Sequence, residues 1–245
     1  MRSLISLHFH YLFSWKVFYI TSLILLLATI CFLYFSNFYL DYDLLLFSSE
    51  YYLNEYYFES ISLIKIIVVL FNMFIVINSF ILNKYDLLLI SRRSKKEVIV
   101  SKTLSLLIIN NGFSIILYLL FLVTGMFLTP YMNINKLDLN LLGDIMIFGS
   151  IYQMLYILVY VSNKTIYALI LVIVGYFISD IVTESFILKE NVTSFSKFFN
   201  IIFVNVNYYT NEGYGLLFGK TVGITVFMIL FFCIVLIYYN SDITN

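Results

Sequence analysis

Charge is what this sequence has least of. Asp, Glu, Lys and Arg make up 11% of its 245 residues, against 62% hydrophobic, and the mean hydropathy is +0.97. A soluble domain carries about 25% charged residues and about 45–50% apolar ones, so a water-facing surface cannot be drawn around a core of this size. A soluble enzyme, a disordered tail and a disulfide scaffold are excluded together. Fourteen Lys and Arg balance fourteen Asp and Glu, which leaves no basic excess for nucleic acid. Cysteine is nearly absent too: Cys31 and Cys233 each sit in a long apolar run, where they read as small core hydrophobes, not a disulfide or a metal pair. The only histidines, His8 and His10, fall near the start of the chain, and neither His-Glu-x-x-His nor Gly-x-Ser-x-Gly occurs. An intramembrane hydrolase would lack its reacting groups. One proline, nine glycines and two alanines against 25 Phe and 22 Tyr also match an AT-rich coding genome, which reduces what any single ring can say.

What is present is apolar length. Crossing about 30 Å of hydrocarbon takes about 20 apolar residues at about 1.5 Å each. Six segments meet that length: 17–38, 61–82, 103–128, 139–161, 165–183 and 220–239. None alternates polar and apolar residues as a barrel strand does. The expected fold is therefore all-α, a polytopic membrane protein with six transmembrane helices. Lys and Arg concentrate before the first span (Arg2, Lys16) and between the second and third. The connection 39–60 has neither, but carries Asp41, Asp43, Glu50, Glu55 and Glu59. The positive-inside rule then places both termini in the cytoplasm. Residues 1–16 put Leu4, Tyr11, Leu12 and Trp15 on one helical face and Ser3, Ser6, His10 and Ser14 on another. That pattern predicts an amphipathic helix lying on the inner membrane surface, ahead of a transmembrane domain over 17–245.

The one dense charge cluster is the inner segment 83–102. Within it, Ser94-Lys-Lys-Glu97 has the spacing of a capping box, in which the serine oxygen accepts from the Glu97 amide. A helix is expected to start there and run on into the third span. Lys95 and Lys96 then lie at its positive end, where the helix dipole disfavours them.

The run Leu87-Leu-Leu-Ile-Ser-Arg-Arg-Ser-Lys-Lys-Glu-Val-Ile-Val-Ser-Lys102 resembles the cytoplasmic segment of ABC type-2 transporter permeases, the type V exporter fold. In that family a leucine-rich end of the second span leads through Ser-Arg and a short basic helix to Ser-Lys at the third. The N-terminal interfacial helix, six spans, small second inner turn and long outer connection also resemble the family plan. Ile90 stands where many members have proline before Ser-Arg. The resemblance implies that Ser91, Arg92, Arg93, Ser94, Lys95, Lys96, Glu97 and Lys102 form a coupling helix docked on a cytoplasmic ATPase. Asn163 and Lys164, in the inner turn 162–164, make a second contact. It implies two ATP-binding-cassette subunits as partners, a second copy or paralogue of the chain, and a place in the cytoplasmic membrane of a bacterium. This chain would hold no cofactor and do no hydrolysis, with ATP and magnesium on the partner. The nearest approach to a phosphate loop, Tyr214-Gly-Leu-Leu-Phe-Gly219-Lys220-Thr221, lacks glycine at the first position.

Polar residues inside the spans bear on cargo. Lys65, Asn72 and Ser79 recur every seven residues along the second span, and Asn110, Ser114 and Tyr118 every four along the third; each set shares a face. Asp144 and Asp180 lie near the outer ends of the fourth and fifth spans. The family plan makes Lys65, Asn72, Ser79 and Asp180 candidates for lining the translocation path. Bonding to a neighbouring helix accounts for amides equally well, and snorkelling for Lys65. The outer connection 184–219 contains an apolar run, 198–206, too short to cross, which fits a re-entrant or interfacial helix. The five carboxylates of 39–60 stand among Tyr39, Tyr42, Tyr51, Tyr52, Tyr56 and Tyr57. That surface would attract a cationic, amphipathic peptide, making an antimicrobial or other membrane-active peptide the expected cargo. Coding bias and the ordinary aromatic belt explain the same residues. A second expectation from the sequence is a stand-alone membrane protein, such as a peptide-immunity factor without an ATPase.

Overall fold

The computed structural model describes residues 2–13, 16–43, 49–81, 93–128, 139–163, 166–187 and 213–240, and no strand occurs among them. Seven α-helices account for nearly all of these residues: α1 (Arg2–Phe13), α2 (Lys16–Asp43), α3 (Ser49–Val76), α4 (Lys95–Leu128), α5 (Leu139–Asn163), α6 (Ile166–Ile187) and α7 (Gly213–Asn240). A π-helical turn, Ile77–Ile81, continues α3. Helix is the only open-ended solution for an apolar chain in lipid, because each segment must satisfy its own backbone groups. Several hydroxyls are absorbed the same way. Thr29, Ser105, Thr124, Ser150 and Ser162 each donate to a carbonyl one turn back on their own helix.

Three stretches among the described residues are long and apolar enough to cross a membrane: Leu63–Phe80, Lys95–Thr124 and Leu141–Asn163. Leu4–Phe13 and Phe18–Cys31 meet at 70° and make a fourth if they are counted as one broken span. The apolar stretches Leu169–Ile178 and Gly223–Tyr238 are shorter. The helices outrun the apolar runs from which spans are read. α2 continues to Asp43 and α3 already begins at Ser49, so most of 39–60 is helical, not a loop. The apolar run 198–206 lies outside the described residues.

α5 is the pillar. It packs against α3, α4, α6 and α7, and its apolar residues surround it on every side, as a helix buried all round requires. α3 and α5 run in the same direction: Asn72 meets Gly149, and farther along both helices Phe80 meets Tyr160. α4 runs against both, since Phe113 stacks on Phe71 at 3.7 Å between ring centroids while Lys102 lies over Phe80. α2, α6 and α7 complete the bundle and keep apolar outer faces. Tyr19, Leu23 and Leu27 on α2, Leu171, Val174 and Ile178 on α6, and Met228 and Phe232 on α7 are all exposed. Such faces cost nothing in hydrocarbon. α1 lies on α4, where Ser105 Oγ stands 3.5 Å from the Ile5 carbonyl. Leu4, His8 and Leu12 form its buried row, while His10 faces out. His8 thus joins the buried face, a position that the apolar pattern by itself did not give it.

Candidate functional site

The start of α4 is built as the capping pattern requires. Glu97 N donates to Ser94 Oγ at 3.2 Å and Val98 N to the Ser94 carbonyl at 3.2 Å. The serine thereby satisfies one of the first-turn donors that an α-helix leaves open. Arg93, Lys96 and Glu97 are exposed there and Lys95 is half-buried. From this basic tip the helix runs unbroken for 34 residues. Asn163, the last residue of α5, is exposed. Ser91, Arg92 and Lys164 lie outside the described residues.

Lys102 has a different setting from the other cations of the segment. It is 1% exposed, and its ammonium stands 4.1 Å from the centre of the Phe80 ring. The same ring lies 5.6 Å from that of Tyr160, whose hydroxyl donates to the Phe80 carbonyl at 3.5 Å. Lys102 therefore ties α4 to the π-helical end of α3, inside the protein. Asn78 belongs to that turn, and its Nδ2 donates to the Phe74 carbonyl at 2.9 Å. A π-helical turn holds an extra residue against its neighbours, and here both Asn78 and Ser79 are buried.

The second concentration of polar groups is in the middle of the bundle. Asn72 Nδ2 on α3 donates to the Gly149 carbonyl on α5 at 3.0 Å. Asn110 on α4 presses on the same glycine, where a Cβ would meet its amide nitrogen, its amide oxygen and Val68 Cγ1, each at 2.9 Å. Gly149 is glycine because three helices close on it. The hydroxyl of Ser150, its neighbour, which donates to the Met146 carbonyl, also stands 3.3 Å from Asn111 Oδ1. Ser114, Gln153 and Tyr156 are fully buried nearby along α4 and α5. Gln153 and Tyr156 were not singled out by sequence reasoning; their spacing from Gly149 (four and seven residues) was the available signal.

Of the candidate path residues, Lys65, Asn72 and Ser79 are all buried within this one chain. The Lys65 ammonium stands 5.8 Å from the Phe148 ring centre. Asp144 is buried as well. Asp180 lies on α6, and its side chain is outside the described residues, as are those of the acidic and tyrosine residues of 39–60. Among the described residues no three His, Cys, Asp or Glu side chains group as metal ligands. Comparison of the chain with family models, with curated proteins and with solved structures finds no match.

Proposed function

We propose that this chain is the membrane-spanning permease subunit of an ATP-driven exporter. In this reading α2 to α7 supply six spans, both termini face the cytoplasm, and a separate ATPase subunit docks beneath. The observation that carries it is α4. A capped helix start presenting Arg93, Lys96 and Glu97 is continuous with a stretch apolar enough to cross the membrane. Movement imposed on the basic tip passes to the interior as a rigid-body displacement, because a helix does not absorb it. Arg92, Arg93, Lys95 and Lys96 are the docking charges, with Asn163 and Lys164 as the smaller contact. The cargo in this reading is a cationic, membrane-active peptide drawn to the acidic, tyrosine-rich outer segment, and a second permease subunit supplies the facing wall.

The test is isolation of the tagged chain from its own membranes in mild detergent. The unaltered protein is expected to bring down a nucleotide-binding subunit. Arg92, Arg93, Lys95 and Lys96 changed together to Ala should lose that subunit while surface labelling shows the same orientation. Inverted orientation would mean that the charges set topology alone. Transport by the isolated chain in liposomes, with no ATPase present, would overturn the reading.

A further inference from the structure

Two kinds of polar side chain stand out in the spans. Those of Thr29, Ser105, Thr124 and Ser162 fold back onto their own helices. Asn110, Ser114, Gln153 and Tyr156 do not. Both amide atoms of Asn110 and of Gln153, the Ser114 and Tyr156 hydroxyls and Asn72 Oδ1 are buried, with no hydrogen-bond partner among the described residues. All five side chains are fully buried. The Ser22 and Thr103 hydroxyls are buried without a partner as well, but among the described residues the carboxamides in that state, Asn72, Asn110 and Gln153, all belong to this group, and a carboxamide denied any partner in an apolar interior costs several kcal/mol.

Register places them in one column. Asn72 and Asn110 meet at Gly149. Ser114 is one turn beyond Asn110 on α4, and Gln153 and Tyr156 are one and two turns beyond Gly149 on α5. Because α4 and α5 run oppositely, Ser114 falls on one side of Gly149 and Gln153 and Tyr156 on the other. At about 1.5 Å per residue the column is about 16 Å long, over half the hydrocarbon thickness of about 30 Å. Its charged neighbours, Lys65, Lys102 and Asp144, are seven, eight and five residues from Asn72, Asn110 and Gly149, so none of the column's own side chains is charged.

We propose that this column is a binding site, closed in this structure, for an uncharged group that presents a donor and an acceptor side by side: a carboxamide or peptide bond. Two carboxamides with free N–H and C=O match such a group on both edges. A bare cation would find N–H groups among its ligands, and an anion would find carbonyl oxygens. The site opens when α4 parts from α3 and α5, and Gly149 leaves the wall without a side chain at its centre. It lies inside one chain and does not depend on an ATPase, so its failure leaves the exporter reading standing.

Ser114→Cys, a change of one atom, tests it in the full-length chain carrying Cys31→Ala and Cys233→Ala. Membrane vesicles of both orientations are treated with a charged methanethiosulfonate, which reacts with a thiolate in contact with water. Labelling is expected at position 114 and not in the control Ile116→Cys, whose parent side chain is 46% exposed on the outer face of the bundle. N-acetyl-trialanine amide at millimolar concentration should slow the labelling several-fold. A thiol at 114 as inert as the one at 116 would overturn the site. Labelling unaffected by the peptide, or slowed by sodium chloride relative to choline chloride instead, would overturn the ligand assignment.

Discussion

An alanine at position 149 probes the meeting of three helices with a single methyl group. Its Cβ would stand 2.9 Å from Asn110 Nδ2, Asn110 Oδ1 and Val68 Cγ1. Non-bonded carbon contacts rest at about 3.5–4.0 Å, so the facing atoms must retreat by roughly 0.6–1.1 Å. Val68 is fully buried and stiff at χ1, and the Asn110 amide is fully buried too. The separation therefore falls on the helices, and moving α3 away from α5 stretches the 3.0 Å bond from Asn72 to the Gly149 carbonyl. Overpacking of this kind costs about 1–3 kcal/mol. An interhelical hydrogen bond in a membrane protein is worth about 0.6 kcal/mol. The better helix propensity of alanine returns about 0.5–1 kcal/mol. The net expectation for Gly149→Ala is a loss of about 1–3 kcal/mol. A Cβ at Gly112 or Gly175 would meet nothing within 4 Å, so alanine there should gain about 0.5–1 kcal/mol. Equilibrium unfolding in mixed micelles with increasing dodecyl sulfate, followed by far-ultraviolet circular dichroism, reads all three. Gly149→Ala as stable as Gly112→Ala would refute the close meeting of α3, α4 and α5 at this glycine.

Two further outcomes rest on the cytoplasmic-side end of the bundle as proposed. Ser94→Ala should cost about 1 kcal/mol of helix stability and Ser94→Gly only a few tenths, seen as faster hydrogen exchange of the Glu97 amide; unchanged exchange would put the start of α4 elsewhere. Lys102→Met and Phe80→Leu, combined in a double-mutant cycle of detergent stability, should couple by about 0.5–2 kcal/mol, and strict additivity would mean that the ammonium gains nothing from the ring.

The helices were legible in the sequence because apolar length and the need to satisfy every backbone group leave no other choice. Their ends were not. Hydropathy falls at Asp41 and Glu59, but backbone hydrogen bonds continue past the apolar runs, so α2 and α3 extend through residues read as a connection. The Ser94 cap was readable because its spacing is local and carries its own chemistry. Lys102 shows the opposite: an inner segment collects cations, and nothing in its letters distinguishes an exposed Lys96 from a Lys102 turned beneath Phe80. Asn72 and Asn110 were visible by their repeats along α3 and α4. Their meeting was not, since it depends on Gly149, and a glycine in an apolar run gives no sign of which neighbours approach it.

The length of α4 has a mechanical consequence. From Lys95 to Asn110 is fifteen residues, an arm of about 22 Å. With the contact at Gly149 as fulcrum, a tilt of about 10° carries the basic tip through about 4 Å. The far arm, from Asn110 to Leu128, is of similar reach, about 27 Å, and would swing in the opposite sense. A small push on one rim of the bundle would thus be returned, slightly enlarged and reversed, at the other.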